Sequence, residues 1–121
     1  MAETAMKRFF IYPNMRKEGA YAVLPQVCDR LQREGVRLML PMQMRSAALG
    51  LDGVDYMETG DAVQFADLAV VLGGAGTMLR LARAAARQEL PMLGLHVGHV
   101  VFITDRRRGA RVRMVKPRRG T

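Results

Sequence analysis

The sequence contains one cysteine, Cys28, so no disulfide can form within the chain. Cys28 lies in a helical pattern, which predicts a buried, unreactive thiol, and a cytoplasmic location is expected. No apolar run approaches the roughly 20 residues of a membrane-spanning helix, so we expect no membrane partner. The N-terminal residues MAETAMKR lack the long apolar stretch of a signal peptide. The chain has 121 residues, half of them apolar, which is enough for one domain.

Acidic residues are missing from the C-terminal segment. Residues 1–105 contain 11 Lys+Arg and 11 Asp+Glu, whereas residues 106–121 contain seven Arg, Lys116 and no acid. The net charge of +8 therefore belongs to this segment. It has no helical or strand period, and we interpret 106–121 as a disordered basic tail from a truncated or frameshifted end. The alternative is a basic arm for nucleic acid, which without aromatic residues should bind weakly and in a salt-sensitive way.

Residues 1–105 alternate between strand and helix patterns. Apolar runs predict strands over 7–12, 36–40, 68–72 and 91–95, and apolar spacing predicts helices over 18–34 and 77–88. Pro25 should kink the first helix or mark where its regular part begins. Residues 42–66 predict loops and a short helix with a helical turn near 59–66, residues 96–101 a loop, and residues 102–104 a short extended segment. The alternation indicates a three-layer, Rossmann-like parallel sheet with helices on both faces.

The segment DLAVVLGGAGTMLR, residues 67–80, joins a buried strand to a helix through three glycines. A glycine turn before a helix N-terminus can direct backbone N–H groups at an anion. In parallel sheets, ligands bind beyond the carboxyl ends of the strands, where this turn, the Pro13-Asn14 turn and the 96–101 loop should meet. The spacing matches neither a Walker A loop nor the dinucleotide fingerprint. A tight connection that simply requires glycine remains the alternative.

Two motifs in sequence resemble the N-terminal domain of NAD kinases. LGGAGTMLR is followed by PMLGLHVGHVVFITD, and the family carries GGDGT after a buried strand and then a stretch like PILGINxGxLGFLT. The resemblance covers roughly residues 7–105. It implies phosphoryl transfer from ATP to the 2′-hydroxyl of NAD with a divalent metal such as Mg²⁺, a reaction that depends on positioning and charge neutralisation. It also implies a small-molecule nucleotide as the main partner.

Matching the motifs by position implies six nucleotide-binding residues: Gly73, Gly74, Gly76, Thr77, Arg80 and Phe102. Arg80 falls where the family often places a basic dinucleotide contact, with a solvated helix residue as the alternative. Phe102 matches a phenylalanine that lies against the bound nucleotide, with a core residue as the alternative.

Three positions depart from the family pattern. Ala75 replaces the catalytic aspartate, and a methyl group can neither accept a proton nor hold a metal-bound water. His96 replaces an asparagine, and Val101 replaces a glycine. His96 and His99 have no cysteine or carboxylate cluster beside them, so we predict no metal site.

No match to the family's second, largely β domain is present in the sequence. With Ala75, this predicts a truncated or degenerate NAD kinase with little activity alone. The alternative is a non-catalytic module that binds a nucleotide, or that pairs with itself or with an intact kinase subunit.

Overall fold

A computed structural model of the chain describes residues 8–14, 18–47, 50–96, 99–104 and 112–114, with side chains for 8–14, 23–45 and 50–95. Seven strands, three α-helices and one 3₁₀ turn follow one another within these residues. In chain order they are β1 (Arg8–Pro13), α1 (Glu18–Arg33), β2 (Arg37–Pro41), the 3₁₀ turn (Met42–Ala47), β3 (Val54–Met57), α2 (Thr59–Phe65), β4 (Leu68–Leu72), α3 (Ala75–Ala84), β5 (Met92–His96), β6 (His99–Thr104) and β7 (Val112–Met114).

The strands form one sheet in the order β3-β2-β1-β4-β5-β6-β7. The first five strands are parallel, whereas β6 and β7 are antiparallel to their neighbours. In register, Phe10 of β1 lies opposite Met39 of β2 on one side and Ala69 of β4 on the other. The chain builds outward from β1 through β2 to β3, then returns to place β4 and β5 on the other side of β1. The strand order therefore reverses between β1 and β4, which is where doubly wound sheets bind ligands.

The sheet is covered on both faces because successive residues of its central strands point to opposite sides. On one face, Phe10 and Val71 pack with α2 and α3, through Val63 and Leu81 among others. On the other face, the strands pack against α1 and the 3₁₀ turn. The buried members of this second cluster are Ile11, Leu24, Cys28, Leu38, Leu40, Met44, Val70 and Leu72. The predicted three-layer α/β arrangement is confirmed.

Several local expectations were wrong. Residues 54–57 form the edge strand β3, although they were expected to be loop. Pro25 lies inside α1 after seven of its residues, so it does not mark the start of the regular helix, and the other alternative, a kink, stays a prediction. The segment 96–101 is largely strand rather than loop, since β6 begins at His99. Within the basic segment 106–121, the structure describes Val112–Met114, and these residues form β7 beside β6.

The glycine-rich connection also differs from the expectation, because α3 begins at Ala75 rather than near Thr77. Gly76 therefore lies in the first helical turn. The regular helix ends at Ala84 rather than at 88, and the chain continues as a turn in which the Ala85 N–H donates to the Leu81 carbonyl oxygen at 2.9 Å.

At the amino edge of the sheet, two arginines pack against one aromatic ring. This edge is opposite the one where β4 leads into α3. The Arg8 guanidinium lies 4.5 Å from the Phe65 ring centroid and pairs with Asp67 at 3.1 Å. The Arg8 backbone N–H also donates to Asp67 at 2.9 Å. Arg37 lies 5.5 Å from the same ring and pairs with Asp55 at 2.9 Å. These contacts connect the start of β1 to the end of α2 and to the residue before β4.

No helix in the described ranges is long and apolar enough to cross a membrane.

Cys28 is 2% exposed on the inner face of α1, as the sequence predicts. Burial raises the pKa of the Cys28 thiol from 9.0 to about 11, because the charged thiolate is poorly solvated there. The folded-state pKa is the higher one, so the resulting stabilisation is complete below pH 9.0 and is lost as the pH rises through about 11.

We therefore expect Cys28 to reduce the free energy of unfolding by about 2–3 kcal/mol between pH 9 and pH 11. Urea denaturation at both pH values measures this loss, and Cys28→Ala serves as the control for every other pH-dependent contribution to stability. The wild-type loss should exceed that of Cys28→Ala. An equal loss in the two proteins would show that the thiol does not resist ionisation.

Candidate functional site

The turns after β1 and β4 meet at the point where the strand order reverses. The Asn14 N–H donates to the Leu72 carbonyl oxygen at 2.8 Å, which joins the end of β1 to the end of β4. The Gly73 N–H donates to the Leu95 carbonyl oxygen at 3.0 Å, which joins the same turn to β5. Two of the three predicted neighbours, the Pro13-Asn14 turn and the glycine turn, are thus in direct contact at the carboxyl edge.

Gly73 is required by the fold itself. Its φ is +157°, a conformation that L side chains rarely adopt. A Cβ added there would lie 2.9 Å from Thr77 Oγ1 and 3.0 Å from Asn14 Cβ, closer than non-bonded atoms approach. The glycine allows the chain to turn sharply from β4 into α3 against the end of β1.

Gly74 and Gly76 have no comparable internal reason to be glycine. An added Cβ would meet no described atom within 4 Å at either position, and neither residue has a positive φ. Gly74 is extended, with φ −97° and ψ −168°, which other residues adopt readily. Gly76 lies within a helix, where glycine costs roughly 1 kcal/mol relative to alanine. Both glycines therefore leave open space above the turn.

The backbone of the first turn of α3 offers N–H groups to this space. The first helical hydrogen bond runs from the Met78 N–H to the Gly74 carbonyl oxygen at 3.2 Å, and no side chain caps the helix. The N–H groups of Ala75, Gly76 and Thr77 therefore have no acceptor within the helix. No acidic residue lies in this first turn. Such a helix terminus favours an anion through both its free donors and its dipole.

The other predicted contacts lie in different environments. Thr77 is 4% exposed, with its hydroxyl beneath Gly73 rather than toward solvent. Arg80 is exposed on α3, one and a half turns from the helix start. Phe102 lies in β6, where its backbone pairs with Gly94 and Met114, and its side chain falls outside the described part. A nucleotide-binding role for each remains a prediction.

Ala75 is the first residue of α3 and is exposed at the open end of the turn. A side chain here would project beside the free N–H groups, but a methyl group supplies neither a base nor a metal ligand. Among the described side chains, no three His, Cys, Asp or Glu residues lie close enough to hold a metal ion. The residues described do not fit a protein-held Mg²⁺. The side chains of His96 and His99 lie outside the described part, although the backbone pairs these residues across β5 and β6.

Asn14 is a site residue that the motif match did not assign. It lies against the position that a Gly73 side chain would occupy and follows β1 directly. The topology explains this position, because the residue after β1 must lie beside the residue after β4 once these strands pair. The sequence places the Pro13-Asn14 turn at this edge, and the pairing of β1 with β4 brings Asn14 against Gly73.

Comparisons with known proteins point to one family. A family model described as the ATP-NAD kinase N-terminal domain matches residues 9–113. The NAD kinase of Methylibium petroleiphilum is 36% identical over 87 residues, covering 72% of this chain and 29% of that protein. The NAD kinase of Ruminiclostridium cellulolyticum is 30% identical over 104 residues, covering 86% of this chain and 35% of that protein.

The NAD kinase of Solibacter usitatus is 35% identical over 85 residues, covering 70% of this chain and 29% of that protein. The chain thus spans about a third of the length of the curated relatives it matches. The family match includes both motifs and extends past Asp105 into β7. The chain therefore belongs to the NAD kinase family, through its N-terminal domain.

Proposed function

We propose that this chain binds nucleotide phosphates at the first turn of α3, as the N-terminal part of an NAD kinase-type phosphotransferase. Its substrates are ATP and NAD, and Ala75 leaves the chain with little phosphotransferase activity of its own. The observation that carries the proposal is the open space above Gly74 and Gly76. A glycine in a helix lowers helix stability relative to alanine, and its bare backbone lets a ligand approach the N–H groups.

The charge around the turn distinguishes it from the start of α2, which also carries a glycine. Gly60 holds the same second position in α2, and a Cβ there would also meet nothing within 4 Å. However, Glu58 precedes α2 and Asp61 lies in its first turn, so an anion would be repelled. The α3 start has no such acid, and Arg80 lies further along the same helix. Phosphate oxygens are favoured at α3 and disfavoured at α2.

The proposed binding uses backbone donors. The N–H groups of Gly76 and Thr77 would donate to phosphate oxygens, and Arg80 would contribute positive charge. In the family reaction, the 2′-oxygen of NAD bonds to the γ-phosphorus of ATP while the bond to the β–γ bridging oxygen breaks. The hydroxyl proton must then pass to a base, for which the family uses the aspartate that Ala75 replaces. Loss of a general base costs roughly 10²–10⁴-fold in rate.

Ala75 also favours a second candidate function, a nucleotide-binding module without catalysis. Such a chain would bind a nucleotide at the same turn and act through a partner, either a second copy or an intact kinase subunit. A cytoplasmic location suits either function. The two candidates share the binding site and differ only in whether NADP is formed.

Calorimetric titration with ATP tests the binding site. The chain should bind ATP, and Gly76→Ala should weaken that binding by about tenfold or more. Alanine keeps the N–H group, but its Cβ would occupy the space through which a phosphate reaches the donors, and a hydrogen bond to a charged group is worth roughly 1.5–3 kcal/mol. Gly60→Ala is the matched control and should leave ATP affinity unchanged. Both substitutions should maintain or raise thermal stability, because alanine is the better helix former. Equal ATP affinity in Gly76→Ala and wild type would contradict the proposed site.

An NADP assay separates the two candidate functions. The purified chain should form little NADP from ATP, NAD and Mg²⁺, even at ATP concentrations that saturate it. Robust turnover would show that a group other than residue 75 accepts the proton.

A further inference from the structure

The eight arginines whose side chains the structure describes fall into two groups. Four have a carboxylate partner: Arg8, Arg30, Arg33 and Arg37, paired at 3.1, 3.7, 3.1 and 2.9 Å. The other four arginines with described side chains, Arg45, Arg80, Arg83 and Arg87, form no ion pair within the described residues. Three of these four lie on α3 or in the turn that follows it. Among the described side chains, most arginines without an ion pair therefore lie on α3 or in the turn after it, whereas the net charge of the whole chain lies in residues 106–121.

The same helix face carries an exposed leucine. Leu79 is 52% exposed and is the one large apolar side chain exposed in the described part of the chain. It lies four residues before Arg83, so the two are neighbours on the helix surface. Arg80 and Arg87 flank them at spacings of three and four residues from Arg83. We call this set, Leu79, Arg80, Arg83 and Arg87, the arginine face; its first three members lie on α3, and Arg87 lies in the turn that follows the helix end at Ala84.

The composition of the arginine face favours a protein partner. Unpaired arginine beside an exposed leucine is typical of protein interfaces, where arginine and apolar side chains are enriched. Single-stranded nucleic acids are instead bound with aromatic side chains that stack on bases, and this face has none. A partner would need carboxylates opposite the arginines and an apolar side chain opposite Leu79. We propose that the arginine face docks an acidic, amphipathic helical segment of a partner protein.

The geometry sets the spacing of the partner's groups. Carboxylates three residues apart on one helix would match Arg80 and Arg83 when two helices pack side by side, and a carboxylate one further turn along would lie toward Arg87 in the turn after α3. A leucine stripe next to them would cover Leu79. Arg80 belongs to both the arginine face and the proposed nucleotide site, whereas Leu79, Arg83 and Arg87 belong to the arginine face alone.

Fluorescence polarisation with a labelled acidic peptide tests the proposal on the full chain. The probe is a helical peptide of about 20 residues with glutamates at i, i+3 and i+7 and a neighbouring leucine stripe. The Arg83→Glu/Arg87→Glu variant should bind it at least about tenfold more weakly, because attraction becomes repulsion. Leu79→Ser should also weaken binding, and added salt should weaken it further. Arg45→Glu, an exposed and unpaired arginine elsewhere, is the matched control and should bind like wild type.

Three comparisons decide the outcome. A peptide with its leucines replaced by serine should bind more weakly than the original, and Gly76→Ala, which alters only the nucleotide turn, should bind the original peptide normally. Absence of peptide binding to wild type, or an equal loss in Arg45→Glu, would overturn the proposal. Tighter binding of an oligothymidylate of equal charge, lost in Arg83→Glu/Arg87→Glu, would also overturn it and identify a nucleic-acid surface. Circular dichroism of each variant confirms that it is folded.

Discussion

Gly73→Ala is expected to lower the free energy of unfolding by about 2–4 kcal/mol, as measured by urea denaturation. The added Cβ would lie 2.9 Å from Thr77 Oγ1 and 3.0 Å from Asn14 Cβ, at a φ of +157°. Neither neighbour moves easily, because Thr77 is a buried β-branched residue and the Asn14 Cβ is fixed to the backbone. The adjacent Gly74→Ala is the matched control, since that position is extended and open. It should change stability by less than about 1 kcal/mol.

A double mutant tests the cause. Thr77→Ala removes the closest atom, so the combined cost of Gly73→Ala and Thr77→Ala should be less than the sum of the two single costs. Additive costs would show that backbone conformation alone disfavours alanine at position 73. Equal stability of Gly73→Ala and Gly74→Ala would contradict the steric argument altogether.

Leu81→Ala is expected to cost about 2–5 kcal/mol, because it leaves a cavity between α3 and the sheet. Leu81 is fully buried and belongs to the cluster that includes Met39, Val71 and Met78. Leu79→Ala, two residues earlier on the exposed side of the same helix, is the control and should stay within about 0.5 kcal/mol. The same urea denaturation compares both.

The contrast between these two leucines also tests how α3 packs. Equal losses at positions 79 and 81 would mean that the helix presents a different side to the sheet. The arginine face would then not be exposed as described, and its proposed partner would lose its basis.

The parts of the fold that were predictable are those with a strong local pattern. Leu68–Leu72 is a continuous apolar run bounded by Asp67 and Gly73, so its limits as a central strand follow from composition. The edge strand β3 was missed because four half-buried residues, VDYM, carry too little pattern. Its pairing depends on β2, through contacts such as Leu38 with Val54, which spacing does not reveal.

The glycines of the site were identifiable, but their separate roles were not. The motif groups Gly73, Gly74 and Gly76 together, whereas the structure assigns Gly73 to the fold and leaves space above the other two. The helix start was placed too late because glycine lowers helix propensity, and tertiary packing of Thr77 and Met78 outweighs that preference. The sequence places the Pro13-Asn14 turn beside the glycine turn, but it does not show that Asn14 lies against Gly73, since that contact arises from the pairing of β1 with β4.

The two backbone hydrogen bonds at the carboxyl edge have a consequence for affinity. The Asn14 N–H bonds to the Leu72 carbonyl oxygen and the Gly73 N–H to the Leu95 carbonyl oxygen, so the glycine turn is held to β1 and β5 before any ligand arrives. A preorganised turn loses little conformational entropy on binding. Phosphate affinity at this turn is therefore governed by the number of donors and the local charge, rather than by the cost of ordering a loop.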